Sequence, residues 1–278
     1  MEEVMILEEN ILSDVYMKKN NNVLDTAAEL RVSVQTVMTS LKKYNIDFVK
    51  PKHLYSDLKK TDFSNFQKSL LIGSILGDGH LEKRSHLKNA SFREEHSVKQ
   101  TQWLKWKHDN LKPFTTTNTW IRDRGSEALM PDGHGGKKMY KISNVITMST
   151  NIHPYLTYLY SEFYVDRIKI VPVELIRSSF NIVSMAVLIG DDGSFNKGCI
   201  IICTESFKYD EVVVLKGAIE RIFKGVVRIN GVQIGKPRLY LSNFDKDLQF
   251  ISKIRNILPP CMHYKLPTVL NEHQTATQ

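Results

Sequence analysis

The chain has 278 residues, with 38 Lys and Arg against 30 Asp and Glu, a formal charge of +8 and a pI near 9.2. At 42% hydrophobic and 24% charged residues its composition is that of an ordinary globular protein, which excludes global disorder as the expectation, and its length is enough to bury a core without disulfide staples. Three cysteines form no full disulfide set, no apolar run approaches about 18 residues, and the start Met1-Glu2-Glu3 is acidic where a targeting peptide would be basic, so a soluble intracellular protein with no membrane partner is expected, its compartment (cytoplasm, nucleoid or organelle) left open. The basic excess raises nucleic acid as a partner without establishing it.

Residues 1–60 carry nine basic and nine acidic side chains, so the whole excess lies in 61–278. Val23 to Ile46 reads as two short helices around a tight turn. Asp25 or Thr26 is the expected cap of a helix through Leu30. Ser33 is the expected cap of a second helix to about Tyr44, with Val34, Val37, Met38 and Leu41 at helical spacing. The pattern resembles a DNA-binding helix-turn-helix, with Ala27 in the first helix, Val32 after the turn and Val37 inside the second. Arg31 stands where that family usually has glycine. The resemblance implies that Ser33, Gln35, Thr36 and Thr39 face a major groove. A helical hairpin that only packs is the alternative. Lys50-Pro51-Lys52-His53 reads as a linker, because Pro51 biases its neighbour away from helix.

The remainder contains an internal repeat. Residues 70–81 read Leu-Leu-Ile-Gly-Ser-Ile-Leu-Gly-Asp-Gly-His-Leu, and residues 185–195 read Met-Ala-Val-Leu-Ile-Gly-Asp-Asp-Gly-Ser-Phe. Each is an apolar helix with an acid-glycine stop. After the first come a hairpin near 80–96, a helix near 98–111, two strands near 116–148 and a helix near 153–163. After the second come strands near 194–204, a helix near 207–224, strands near 226–242 and a helix near 244–256. This is an α+β chain: a pseudo-twofold αββαββα repeat over 61–165 and 166–278, preceded by a small all-α domain over 1–60. Gly73 and Gly77 are four apart, as are Ala186 and Gly190, so each pair shares a helix face where a second helix can approach closely. The two repeat helices are expected to pack on each other.

That packing would set Asp78 beside Asp192 at two helix C-termini, where a carboxylate costs about 0.3–1 kcal/mol and two carboxylates repel. A hard divalent cation resolves the conflict. Mg²⁺, with Mn²⁺ as a substitute, is therefore expected at Asp78 and Asp192, with the preceding Gly77 and Asp191 in the candidate ligand set. A bland helix-stop turn explains one copy; two copies with the same small-residue spacing favour a paired metal site.

Leu71-Ile72-Gly73-Ser74-Ile75-Leu76-Gly77-Asp78-Gly79 and Met185-Ala186-Val187-Leu188-Ile189-Gly190-Asp191-Asp192-Gly193 resemble the two motifs of the monomeric LAGLIDADG homing endonucleases. Lys169-Ile170-Val171-Pro172 and Tyr264-Lys265-Leu266-Pro267 resemble the lysine-bearing stretches of the two repeats, and the resemblance covers roughly 65–270. It implies a saddle of antiparallel sheets on duplex DNA and a monomer that cuts both strands of one long asymmetric target by metal-dependent hydrolysis. Asp78 and Asp192 would be the essential acids, and Lys169 and Lys265 the active-site bases or phosphate contacts. The chain departs from the family at the auxiliary polar positions, read as Arg93 and Cys203. The basic side chains offered to DNA are Lys83, Arg84, Arg93, Arg122, Arg124, Lys138, Lys141, Arg228, Lys236 and Arg238; strand alternation puts only about half of such a set on one face. Two other readings keep the fold: a catalytically silent DNA-binding regulator, and an intron RNA maturase.

Other signals are read as structural. Cys199, Cys203, Cys261 and His263 fit no common zinc spacing, so buried strand cysteines are expected. The glycine-rich run Asp132 to Lys138 lacks a nucleotide-binding ending and reads as a hairpin tip. Trp103 and Trp106, three apart on a helix, read as core, and His80 as a strand residue near DNA.

Overall fold

The computed structural model describes residues 6–32, 34–48, 57–116, 120–122, 128–131, 136–140 and 144–267. Three helices open the chain: α1 (Glu9–Lys18), α2 (Val23–Leu30) and α3 (Val34–Lys43). They share a small core of Leu12, Tyr16, Val23, Ala27, Val37 and Leu41. The expected pair of helices is present, and α1 is an addition. The cap of α2 is not Asp25 or Thr26 but Asn22, whose side chain accepts from the Leu24 and Asp25 N–H groups. Thr26 instead points inward and donates to the Asn22 carbonyl. Arg31 takes the left-handed conformation at the end of α2, with φ 54°. Its N–H and that of Val32 bond back to Ala28 and Ala27, which is the turn that glycine usually makes. The expected cap Ser33 and the linker Lys50 to His53 lie outside the described residues.

The first motif helix, α4 (Asn65–Leu76), starts on a capping box: Ser64 Oγ accepts from the Gln67 N–H and Gln67 Oε1 accepts from the Ser64 N–H. After it come β1 (His80–Glu82), β2 (Ser91–Ser97), α5 (Thr101–Asn110), β3 (Trp120–Arg122), β4 (Ala128–Pro131), β5 (Lys137–Tyr140), β6 (Val145–Ser149) and α6 (Pro154–Phe163). Where two strands are expected between 116 and 148 the described residues form four, with β4 and β5 pairing with each other as a separate hairpin between β3 and β6. A short hairpin, β7 (Tyr164–Val165) and β8 (Ile168–Lys169), and the helix α7 (Val173–Ser179) join the halves. The second motif helix α8 (Ile182–Asp192), capped by Asn181, leads to β9 (Gly193–Asn196), β10 (Cys199–Cys203), α9 (Tyr209–Glu220), β11 (Val226–Asn230), β12 (Arg238–Ser242) and α10 (Leu248–Ile257).

The two sheets have matching orders, β1-β2-β6-β3 and β9-β10-β12-β11, and all pairings are antiparallel. The two four-stranded sheets thus repeat one order, and the β4–β5 hairpin has no counterpart among the described residues of the second half. One core runs through both halves, from Phe63 to Leu266. Its centre is the packing of α4 on α8, whose inward residues from Leu70 to Leu76 and from Met185 to Ile189 are buried. Ser184 Oγ donates to the Ser69 carbonyl and Asn181 Nδ2 to Ser69 Oγ, so the helix starts are tied across the pair. A Cβ on Gly73 would lie 2.5 Å from the Ser184 carbonyl oxygen, and one on Gly77 2.6 Å from Asp191 Cβ. Gly190 departs from the expected helix-on-helix role: its missing Cβ makes room for the Trp103 ring, 2.5 Å away. Among the described residues no single helix is long and apolar enough to cross a membrane.

Candidate active site

The apolar faces of α4 and α8 force their C-terminal ends together, and the chain leaves each helix through an acid and a glycine. Asp78 follows the C-cap Gly77, while Asp192 is the last residue of α8. The two acids interact. Burial, then the Asp78 and Asp191 carboxylates, push Asp192 up to about 7. The Asp78 side chain is 43% exposed.

Each helix end carries a lysine clamp. Lys169 Nζ donates to the carbonyls of Ile75 and Gly77, both at 2.9 Å, and of Gly79 at 3.3 Å. Lys265 Nζ donates to Gly190 at 2.6 Å and Asp191 at 2.7 Å. These bonds satisfy carbonyls that a helix end leaves unpaired and put a positive charge against the negative end of the dipole. Burial pulls both ammonium groups below their ordinary value, with the nearby acids opposing it. The four residues that carry the family resemblance, Asp78, Asp192, Lys169 and Lys265, are thus brought to one place. The Gly77 and Asp191 carbonyls face lysines, and the Asp191 side chain bonds to Trp103 and Lys107.

That side chain enters the first half. Asp191 Oδ1 accepts from Trp103 Nε1 at 2.8 Å, and Lys107 Nζ lies 2.7 Å from both Asp191 oxygens and 2.5 Å from Glu94 Oε1. His96 Nε2 is 2.5 Å from the same Glu94 oxygen. Glu94, Lys107 and the Asp191 side chain are fully buried. Burial raises Asp191, to about 6, against the pull of Lys107. Burial would also raise Glu94, but Lys107 and His96 together bring it below its ordinary value. Burial alone would lower His96, and Glu94 more than offsets it. None of Glu94, His96 and Lys107 was among the expected site residues. β2 turns Phe92, Glu94 and His96 inward and Arg93 and Glu95 outward, but the polar sequence of this strand carries no local signal of which face is buried. Trp103 is core as expected and stacks on Trp106.

Asp78, His96 and Asp191 offer ligand atoms within 4.8 Å of one another. The fit is best at Asp78 and His96, since both Asp191 oxygens are occupied by Lys107 and Trp103. Asp192, partly buried beside Asp78, is an oxygen donor poised to gain from a cation.

The register corrects the auxiliary pair. His80 pairs with Arg93 and Gly193 with Ile202, so the counterpart of Cys203 is Glu95, not Arg93. Glu95 Oε2 accepts from Thr147 and lies 3.9 Å from the Arg93 guanidinium. The cysteines are not buried strand residues: Cys203 is exposed, Cys199 and Cys261 are half-buried, and Cys261 sits in a 3₁₀ turn. His263 Nε2 lies 3.0 Å from the Arg255 and Leu258 carbonyls.

Of the basic side chains, Lys83, Arg84, Arg228, Lys236 and Arg238 are exposed and Arg93 is half-buried. Arg84 pairs with Glu82, and Arg238 with Glu205. Lys83 lies over the Tyr160 ring. Arg228, Tyr240, Ile201 and Ser194 form one cross-strand row on the outer face of the second sheet. Arg124 and Lys141 lie outside the described residues, as do the side chains of Arg122 and Lys138 and the loop 132–135. In the N-terminal domain Gln35 is exposed and bonds to Thr39, while Thr36 is half-buried.

Residues 68–247 match the family described as the LAGLIDADG DNA endonuclease family. The chain is 27% identical over 163 residues to the DNA endonuclease I-ChuI of Chlamydomonas applanata, covering 56% of this chain and 72% of that protein. It is 33% identical over 110 residues to the intron-encoded endonuclease ai4 of Dictyostelium discoideum, covering 39% of this chain and 69% of that protein. Its fold is similar to that of the homing endonuclease I-WcaI bound to its DNA recognition sequence, with a TM-score of 0.62 and 24% identity over 82% of this chain and 99% of the other.

Proposed function

Because the chain belongs to the LAGLIDADG DNA endonuclease family, we propose that it is a site-specific endonuclease that cuts both strands of a long, asymmetric duplex DNA target by metal-dependent hydrolysis. The observation that carries this reading is the meeting of Asp78 and Asp192 at two packed helix ends, each end clamped by a lysine.

Asp78 and Asp192 would hold Mg²⁺, or Mn²⁺ in its place. The bound ion would lower the pKa of a water and stabilise the attacking and leaving oxygens. Asp192 must lose its proton to bind it, and its elevated pKa makes that loss a feature of binding near neutral pH. Lys169 and Lys265, with lowered pKa values, offset the charge that develops on phosphate and exchange protons through water. The outer faces of the two sheets read the target, with Arg228 and Arg238 suited to guanine. The helices α2 and α3 add a second reader at one end, through Gln35, Thr36 and Thr39.

Cleavage selection from a randomised duplex library in Mg²⁺, followed by sequencing of the ends, tests the reading. A single long motif flanking a fixed cut is the expected result. Specific binding to a motif with no nick in Mg²⁺ or Mn²⁺ would instead make the chain a DNA-binding regulator on the same scaffold.

A further inference from the structure

The two halves differ beneath their acids. The register that pairs His80 with Arg93 and Gly193 with Ile202 makes Ile202 and Thr204 the counterparts of Glu94 and His96. Ile202 is apolar core, and Thr204 donates to the Pro237 carbonyl. Among the described residues the first half alone has a buried imidazole at this level. His96 Nε2 is 2.5 Å from Glu94 Oε1, and its Nδ1 is 3.6 Å from Asp78 Oδ2.

Glu94 Oε1 also accepts from the Lys107 ammonium, so it is the acceptor and the His96 hydrogen toward it sits on Nε2. Nδ1 is then the end turned toward Asp78, with Gln100 Oε1 3.2 Å away as its other neighbour. An imidazole that donates one N–H to a carboxylate and turns its other nitrogen toward two oxygen donors, here Asp78 Oδ2 and Gln100 Oε1, has the outer arrangement of a metal-bound histidine. Donor atoms 3.6 Å apart suit one ion bound at about 2.1 Å from each.

We propose that His96 is a nitrogen ligand to the metal ion held at Asp78, so that the two halves bind chemically different ions: an N,O site in the first and an all-oxygen site at Asp192 in the second. The buried Glu94–Lys107–Asp191 network fixes the ring for this role. The first site favours later first-row ions such as Co²⁺ and Ni²⁺ over Mg²⁺, since imidazole suits them and carboxylate alone suits Mg²⁺. An ion arriving at Nδ1 displaces any proton there. This inference rests on the reading of Asp78 as a metal-binding acid.

The test is pulsed EPR of the full chain with one equivalent of Mn²⁺, in natural abundance and with ¹⁵N-labelled histidine. The expected spectrum carries a histidine nitrogen coupling that changes with the label and disappears in Asp78→Asn. His96→Gln should remove the coupling and weaken Ni²⁺ binding about tenfold or more, the size typical of a lost metal partner, with Mg²⁺ binding changed by less than about threefold. If His96→Gln does not fold, the labelled wild-type spectrum decides alone. Bound Mn²⁺ and normal cleavage without histidine coupling would overturn the inference and leave the Asp78 reading standing. Mn²⁺ binding equal in wild type and Asp78→Asn would overturn both.

Discussion

Asp192 sits where the fold opposes its charge, and neutralising it should stabilise the protein while ending its activity. Its pKa rises from the ordinary 3.8 to about 7, through burial and then through Asp78 and Asp191. A carboxyl raised in the folded state gives stability that is full below about pH 4 and is lost as the pH climbs through about 7. At 1.36 kcal/mol per pH unit the gap is worth at most about 4 kcal/mol. Asp192→Asn keeps the shape and removes the charge. In EDTA at pH 8.5 it should unfold about 2–4 kcal/mol later than wild type, a rise in Tm of roughly 4–16 °C at 2–4 °C per kcal/mol. Near pH 4 the two should coincide. Thermal melts from pH 4 to 8.5 without metal measure this. Parallel stability curves for the two proteins at every pH would refute the claim that the Asp192 charge is opposed in the folded state.

Further substitutions test the packing around the site. Lys107→Met leaves Glu94 and Asp191 buried without their cation and should cost about 3–5 kcal/mol in urea unfolding. Gly73→Ala drives a methyl to 2.5 Å from the Ser184 carbonyl oxygen and should cost roughly 1–3 kcal/mol, with cleavage lost as the acids separate. Gly217→Ala, in mid-helix with nothing within 4 Å of the added Cβ, should gain about 0.5–1 kcal/mol in the same assay. Arg31→Gly relieves a left-handed residue and should stabilise the N-terminal helices by roughly 1 kcal/mol, read by circular dichroism of the full chain.

The helices α4 and α8 were legible because each is an apolar run with small residues at a fixed spacing and an acid-glycine stop. Lys169 and Lys265 were legible only through the family resemblance, since nothing in their local sequence says that a carbonyl waits for each ammonium. The buried network was not legible: Lys107 meets Asp191 across 84 residues, and long-range pairings leave no local pattern. Glu94 and His96 lie in a polar strand, Ser91 to Ser97, whose inward face is defined only once Lys107 and Asp191 are there to neutralise it. The same holds for the caps. Asp25 and Thr26 are good cap types, but Asn22 lies where the preceding turn delivers the chain. Arg31 stands in a glycine position, yet the turn forms around it.

Strand-resolved cleavage of the selected target in Mg²⁺ by wild type, Asp78→Asn and Asp192→Asn tests the central claim most directly, with binding followed in parallel. Wild type should cut both strands, each single variant should lose cleavage, and all three should still bind the target. Full cutting of both strands by both variants would contradict that claim.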